Sequence, residues 1–206
     1  MTSRAFGFRV EAIRARVSRR TLGRTSLFAF IAAFVLVGGP TGALALEEGE
    51  YVMQCSCPVW WTGDWDGNGV FKEDDSLDII ALANGPAVFL MHELPVDAMD
   101  LDEYAEARSE SLEDNRDLED VEIVWDDEST DRIDIGRAWV NAEGDVMLSW
   151  QAVLVWETNY LLSIEFIAPE DDFEDAWNDS LPDVALVGVP VTMLANADDI
   201  MEEFGL

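Results

Sequence analysis

Apolar and polar residues alternate along much of the second half of the chain, and the alternation predicts strands. It extends over Arg132–Asn141 and Val146–Trp156, which a short polar segment joins into a meander. Ser76–Ala83 and Ala87–Leu94 flank Asn84-Gly85-Pro86, a turn signal that predicts a hairpin. Further strands are predicted at Tyr51–Cys57, Val121–Trp125, Tyr160–Ala168 and Val184–Leu194.

A helical period appears in shorter segments. Asp100-Leu-Asp-Glu103 fits a capping box, and apolar residues then recur at helical spacing to about Asn115. Pro169 is suited to the first turn of a second helix, which Pro182 ends, and Asp198–Phe204 is expected to form a short helix. Together these elements predict an α+β fold, an antiparallel sheet packed with about two helices.

The same order of elements resembles the PsbP-like superfamily, which includes many secreted bacterial proteins. The resemblance covers about residues 76 to 193. It is carried by the hairpin, by an acidic helix containing Leu101-Asp-Glu-Tyr-Ala-Glu-Ala107, by Gly136-Arg-Ala-Trp-Val140, and by the run from Tyr160 to Phe173. The resemblance implies a sandwich built around an antiparallel sheet, usually without catalysis, and it supplies no catalytic residues.

The first 45 residues have the order of an export signal. A basic segment precedes the 11-residue apolar run Leu27–Val37, and the small residues Ala43-Leu44-Ala45 follow, so cleavage is expected after Ala45. The apolar run is shorter than the roughly 20 residues of a membrane span. Ser18-Arg19-Arg20-Thr21-Leu22 resembles the twin-arginine signal, and general export is the alternative. We therefore expect a secreted or cell-envelope protein.

The sign of the net charge changes near residue 45, where the export signal is expected to end. Of its 43 acidic and 12 basic residues, one acidic and seven basic residues precede residue 46, which leaves 42 acidic and 5 basic groups and a net charge of −37 on residues 46–206. Such a surface repels nucleic acid and anionic membranes. Because 49% of the chain is apolar, the composition is that of a folded domain. A single acidic domain over residues 46–206 is expected, as a monomer without enzymatic activity.

The most specific motif is a twelve-residue segment that resembles the EF-hand calcium loop, within the expected long loop Pro58–Asp75. A glycine, Gly69, stands at the sixth position, where the EF-hand loop turns sharply. Binding should be weak, with a dissociation constant on the order of 10⁻⁴–10⁻³ M, because the twelfth residue is Asp rather than Glu. The predicted ligands are Asp64, Asp66, Asn68, Val70 and Asp75.

Cys55 and Cys57 are the only cysteines, in a C-x-C arrangement. Export favours a disulfide, although two residues so close can form only a small, strained ring. A structural disulfide or two half-buried thiols is one interpretation, and a thiol redox role is another, since a strained disulfide is easily reduced. Alternatively, Met53, Cys55 and Cys57 lie on one face of a predicted strand and supply the sulfur ligands that a soft ion such as Cu(I) prefers. The sequence leaves these interpretations open.

His92 is the only histidine, and a Ser-His-acid hydrolase would have to use it. No Gly-x-Ser-x-Gly motif accompanies it, so a structural histidine is expected. Trp60, Trp61 and Trp65 adjoin the acidic loop, which suggests a glycan-binding or envelope-interaction surface as another alternative. Three further tryptophans are expected in the core of the meander: Trp139, Trp150 and Trp156.

Overall fold

A computed structural model describes residues 50–53, 55–62, 65–72, 78–95, 100–156 and 160–206. Within these residues the strands are β1 (Glu50–Val52), β2 (Pro58–Trp61), β3 (Asp66–Lys72), β4 (Asp78–Asn84), β5 (Ala87–Pro95), β6 (Glu119–Glu128), β7 (Arg132–Val140), β8 (Val146–Trp156), β9 (Tyr160–Pro169), β10 (Val184–Leu186) and β11 (Val189–Pro190). The α-helices among them are α1 (Leu101–Glu113), α2 (Phe173–Asp179) and α3 (Ala197–Phe204).

Seven strands form an antiparallel sheet in the order β3-β4-β5-β9-β8-β7-β6. The predicted hairpin supplies β4 and β5, and the predicted meander supplies β7 and β8. A smaller antiparallel sheet has the order β1-β2-β10-β11. Its central pair joins strands from opposite ends of the domain, because Trp60 of β2 lies opposite Ala185 of β10.

The large sheet lies between two layers. Helix α1 packs on one face, against β6, β7 and β8. The other face carries the main core, where aromatic rings of α2 pack on strand β9 and Phe204 of α3 packs on α2. Phe166 of β9 contacts Phe173 and Trp177 of α2, with ring centroids 5.3 and 5.5 Å apart, and Phe173 contacts Phe204 of α3 at 5.1 Å. The α+β sandwich expected from the sequence is therefore confirmed.

Local signals placed several elements correctly. Gly85 adopts a positive φ of 55° in the hairpin turn, where the sequence predicted it. Asp100 caps α1: its side chain accepts from the Glu103 backbone N–H at 2.9 Å, and the Glu103 side chain accepts from the Asp100 backbone N–H at 3.4 Å. Both contacts are those of the predicted capping box.

Several other predicted boundaries of strands, loops and helices were wrong. The segment expected as one long loop contains strands β2 and β3, because β2 pairs with β1 and β10, and β3 pairs with β4. The predicted first strand ends at Val52 rather than continuing through the cysteines. Pro169 ends strand β9, and the helix begins at Phe173 after a 3₁₀ turn. The predicted last strand is divided by a turn at Val187 and Gly188, both with positive φ.

Strand β6 forms an edge of the large sheet, and two features protect this edge from pairing with another chain. Its sequence Glu-Asp-Val-Glu-Ile-Val-Trp-Asp-Asp-Glu is mostly acidic, and its pairing with β7 is interrupted by two register shifts. Trp125 lies opposite Gly136 of β7, and its indole covers the position that a side chain at Gly136 would occupy. The indole also packs edge-on against Phe204, with the ring centroids 6.1 Å apart.

Candidate functional site

The two cysteines lie in the tight loop that joins β1 to β2. The Met53 backbone N–H donates to the Cys57 carbonyl at 3.0 Å, and the Ser56 N–H donates to the Met53 carbonyl at 2.9 Å. Ser56 has a φ of 59°, in the left-handed region that few non-glycine residues adopt. The loop is therefore a closed turn, and the cysteines are not on a strand as the sequence suggested.

The loop points its sulfur atoms into the protein. Met53, Cys55 and Cys57 are all buried in the main core cluster, with exposures of 2%, 2% and 0%. Glu93 reaches this loop from strand β5, where it shares a face with the buried Phe89 and Met91. Its Oε2 accepts from the Cys55 backbone N–H at 2.9 Å, and Glu93 is itself fully buried. A buried carboxylate thus lies against the loop that carries the two buried thiols.

Both cysteines are free thiols in this structure. The neighbouring Cys57 side chain, burial and the nearby Glu93 carboxylate together raise the pKa of Cys55 far above its usual range. Cys55 therefore keeps its proton at neutral pH, which is the opposite of the lowered pKa that makes a cysteine a good nucleophile.

The predicted calcium ligands are only partly described. Asp64 and Asp75 lie outside the described residues, whereas Asp66, Asn68 and Val70 lie on strand β3. The pairing of β3 with β4 shifts register between Gly67 and Gly69, so Asn68 has no partner in the ladder. Among the described residues, no three His, Cys, Asp or Glu side chains form a group that could hold a metal ion. The calcium loop remains a prediction.

Two of the three tryptophans proposed for glycan binding are core residues. Trp61 and Trp65 are each 1% exposed, and the Trp65 indole N–H donates to the Ser180 carbonyl at 2.8 Å. Neither ring can stack on a sugar from solution in this arrangement, and Trp60 is half-buried. In the meander, Trp139 and Trp150 are fully buried and Trp156 packs against the core, as expected.

A second polar cluster, which the sequence interpretation missed, lies between α1 and the large sheet. Arg137 of β7 is fully buried, with its Nη1 donating to Gln151 Oε1 at 2.7 Å and its Nε donating to Ser109 Oγ at 3.0 Å. Arg108 of α1 donates from Nε and Nη2 to one oxygen, Oε2 of Glu165, at 3.0 and 2.8 Å. Two of the five basic residues after residue 45 are therefore buried in one contact.

The only histidine lies at the end of this cluster. His92 Nδ1 is 2.9 Å from the Tyr104 hydroxyl, and the two rings are tilted with centroids 5.8 Å apart. Burial, and secondarily the charge of Arg108, lowers the pKa of His92 to about 4. Burial also raises the pKa of Tyr104. The histidine is thus held neutral inside a helix–sheet contact, in agreement with the structural role expected for it.

A pattern in the sequence could have revealed this cluster. Polar residues interrupt otherwise apolar strands at positions that face α1 together: Arg137 lies opposite Ser149, Gln151 opposite Glu165, and His92 opposite Ser163. A polar residue in the middle of an apolar strand requires a buried partner. Sequence alone does not identify that partner, because the pairing of β5 with β9 and the docking of α1 on the sheet join segments that are far apart along the chain.

Comparison with known proteins leaves the fold family and the function unassigned. No protein-family model matches the chain, and no curated protein sequence matches it. Among solved structures, the chain is similar to the Saccharomyces cerevisiae Ran-binding protein Mog1p, at 12% identity over 69% of this chain and 97% of that chain, with a TM-score of 0.41. It is also similar to LpqN of Mycobacterium tuberculosis, involved in cell envelope biogenesis, at 10% identity over 70% and 90% of the two chains, with a TM-score of 0.33.

The described residues include no helix that is long and apolar enough to cross a membrane.

Proposed function

We propose that the protein is an exported accessory domain that binds a soft metal ion, Cu(I) in particular, through Met53, Cys55 and Cys57. The observation that carries the proposal is the pair of buried thiols on one tight loop, with a buried thioether in the same cluster. The role is one of binding and not of catalysis. His92 supports this, since its Nδ1 is engaged by Tyr104 rather than by a serine nucleophile.

The ligand chemistry favours a soft ion over a hard one. Thiolate and thioether sulfurs select ions such as Cu(I), which is satisfied by two or three sulfur ligands. Calcium needs six to eight oxygens, and Glu93 is the carboxylate at this loop. A tetrahedral zinc site would need four ligands of the nitrogen, oxygen or thiolate type. The loop supplies the set of donors that suits Cu(I).

The same geometry favours metal binding over thiol exchange. A redox cysteine attacks as an accessible thiolate, whereas Cys55 and Cys57 are buried and Cys55 is held protonated. A metal ion that displaces the thiol protons would instead gain from a dry site, because its charge is compensated there by sulfur anions.

Anaerobic titration with Cu(I) against a chromogenic chelator tests the proposal. We expect one equivalent to bind, with a sulfur-to-copper charge-transfer absorption in the near ultraviolet. Cys55→Ser combined with Cys57→Ser should abolish both signals, and Met53→Leu should weaken binding on the order of tenfold or more. Met193→Leu is the matched control, because Met193 is 74% exposed and lies outside the loop. Undiminished binding in the double serine variant would overturn the proposal.

We also propose that the segment from Asp64 to Asp75 binds calcium as a separate, weak site. The register shift between Gly67 and Gly69 supports it, because it releases the backbone of Asn68 from pairing with β4. Titration of calcium into the chelator-treated protein should change the tryptophan fluorescence in the millimolar range or just below. Asp66→Asn should remove the change, and an identical response in that variant would exclude the site.

A further inference from the structure

The hydrogen bonds between α1 and the sheet form a chain with a defined direction. It begins at Arg137, whose guanidinium can only donate. The Gln151 amide must therefore turn its oxygen towards Arg137, at 2.7 Å, and its nitrogen towards Ser163 Oγ, also at 2.7 Å. Gln151 thus donates to Ser163, which leaves the Ser163 hydroxyl proton free to be donated onwards.

The remaining two steps lead to the histidine. Ser163 lies opposite His92 in the β5–β9 ladder, and the Tyr104 hydroxyl is 2.9 Å from His92 Nδ1. The Tyr104 hydroxyl uses its own proton when it donates to His92 Nδ1. His92 Nδ1 is then the terminal acceptor, and the proton of the neutral ring is on Nε2. Together these contacts join strands β7, β8, β9 and β5 to helix α1.

We propose that His92 makes the docking of helix α1 acid-sensitive: protonation of Nδ1 turns the terminal acceptor into a donor that faces the Tyr104 hydroxyl, and α1 is released from the sheet. This device lies on the opposite face of the sheet from the cysteine loop and is independent of metal binding. Its consequence is a conformational change confined to one helix, which leaves the main core in place.

The groups around His92 reinforce the effect. Tyr104 and Arg108 face it from α1, Ser163 and Glu165 from β9, and Gln151 and Arg137 continue the cluster from β8 and β7. An imidazolium would add a third cation to two guanidiniums, with Glu165 as the cluster's carboxylate. That carboxylate already accepts two hydrogen bonds from Arg108, so it compensates the new charge poorly.

The direction of the pH dependence follows from the pKa of His92. It is about 4 in the docked structure and 6.5 for an exposed histidine. Between these values the released form binds a proton that the docked form does not, so docking weakens as the pH falls from 6.5. The docking equilibrium should shift towards release by on the order of 100-fold at pH 4.

Hydrogen exchange tests this inference, read as protection of α1 amides relative to β8 amides at pH 6.5, 5 and 4 in molar salt. Many carboxylates titrate near pH 4, so the control is His92→Gln, which keeps an acceptor but cannot be protonated in this range. We expect α1 in the natural protein to lose on the order of 100-fold more protection than α1 in the variant. Equal losses would overturn the inference.

A second measurement does not depend on any variant. Because His92 is the only histidine, its ring proton signal can be followed by NMR across the same range without ambiguity. A midpoint near 4, with α1 protection falling progressively between pH 6.5 and 4, supports the device. A midpoint near 6.5, or a transition in which α1 and β8 lose protection together, would refute it.

Discussion

Gly136→Ala should destabilise the protein strongly, because the indole of Trp125 occupies the space where the new methyl group would lie. A Cβ at this position would overlap Nε1 and come within 2.5 Å of Cδ1 and Cε2 of that ring. The ring cannot move outwards freely, since it packs against Phe204 of α3. The clash must be relieved by moving either the indole or the β6–β7 pairing.

The cost can be estimated from the burial that would be lost. A tryptophan buries about 150–250 Å² when it is fully enclosed, and apolar burial stabilises by about 25 cal/mol per Å². Trp125 is half-buried, so displacing it should cost about 3 kcal/mol, within the range seen for overpacked sites. In a Trp125→Ala background the methyl group meets no ring, and Gly136→Ala should become neutral or stabilise by about 0.5 kcal/mol.

Urea denaturation followed by far-ultraviolet circular dichroism, at one fixed high salt concentration, measures the four corners of this double-mutant cycle. The matched control is Gly85→Ala, which has open space around it but a positive φ. It should cost about 1 kcal/mol in both backgrounds. If Gly136→Ala costs the same with and without Trp125, the steric explanation is wrong.

Three further outcomes are expected. The melting temperature should rise from low to molar salt, because screening relieves the self-repulsion of the acidic domain; a flat profile would contradict this. Asp100→Ala should cost about 1 kcal/mol by removing the cap of α1, as thermal unfolding would show, and no effect would mean that the cap contributes nothing. Arg108→Met should cost about 3–5 kcal/mol by leaving Glu165 with an unpaired buried charge, whereas Arg108→Met with Glu165→Met should recover most of that loss in chemical denaturation.

The sequence by itself determined the local elements and the character of the surface. The capping box at Asp100, the turn at Gly85 and the alternation in β7 and β8 each depend on residues a few positions apart, so a single sequence contains the whole signal. The acidic residues also have a local role that only the structure shows. They lie on the edge strand β6, whose charge and irregular pairing with β7 protect it from pairing with another chain.

The predicted boundaries of strands and loops were wrong where pairing between distant segments decides the conformation. Strand β2 lies in a segment rich in Gly, Asp and Trp that has the composition of a loop, and it becomes a strand by pairing with β10, more than a hundred residues later in the chain. The cysteine loop was misassigned for a related reason. Alternation suggested a strand through Cys57, but the turn at Ser56 closes the chain on itself.

Only the tertiary structure decided which polar residues meet inside the protein. The sequence placed the sulfur atoms of the loop together, but the carboxylate of Glu93 is brought to Cys55 from 38 residues away by strand β5. The chain from Arg137 to His92 likewise exists only because β5, β9, β8 and β7 are neighbours in the sheet. A residue's face on a strand follows from its own local period, whereas its partner depends on the order of the strands, which no local pattern encodes.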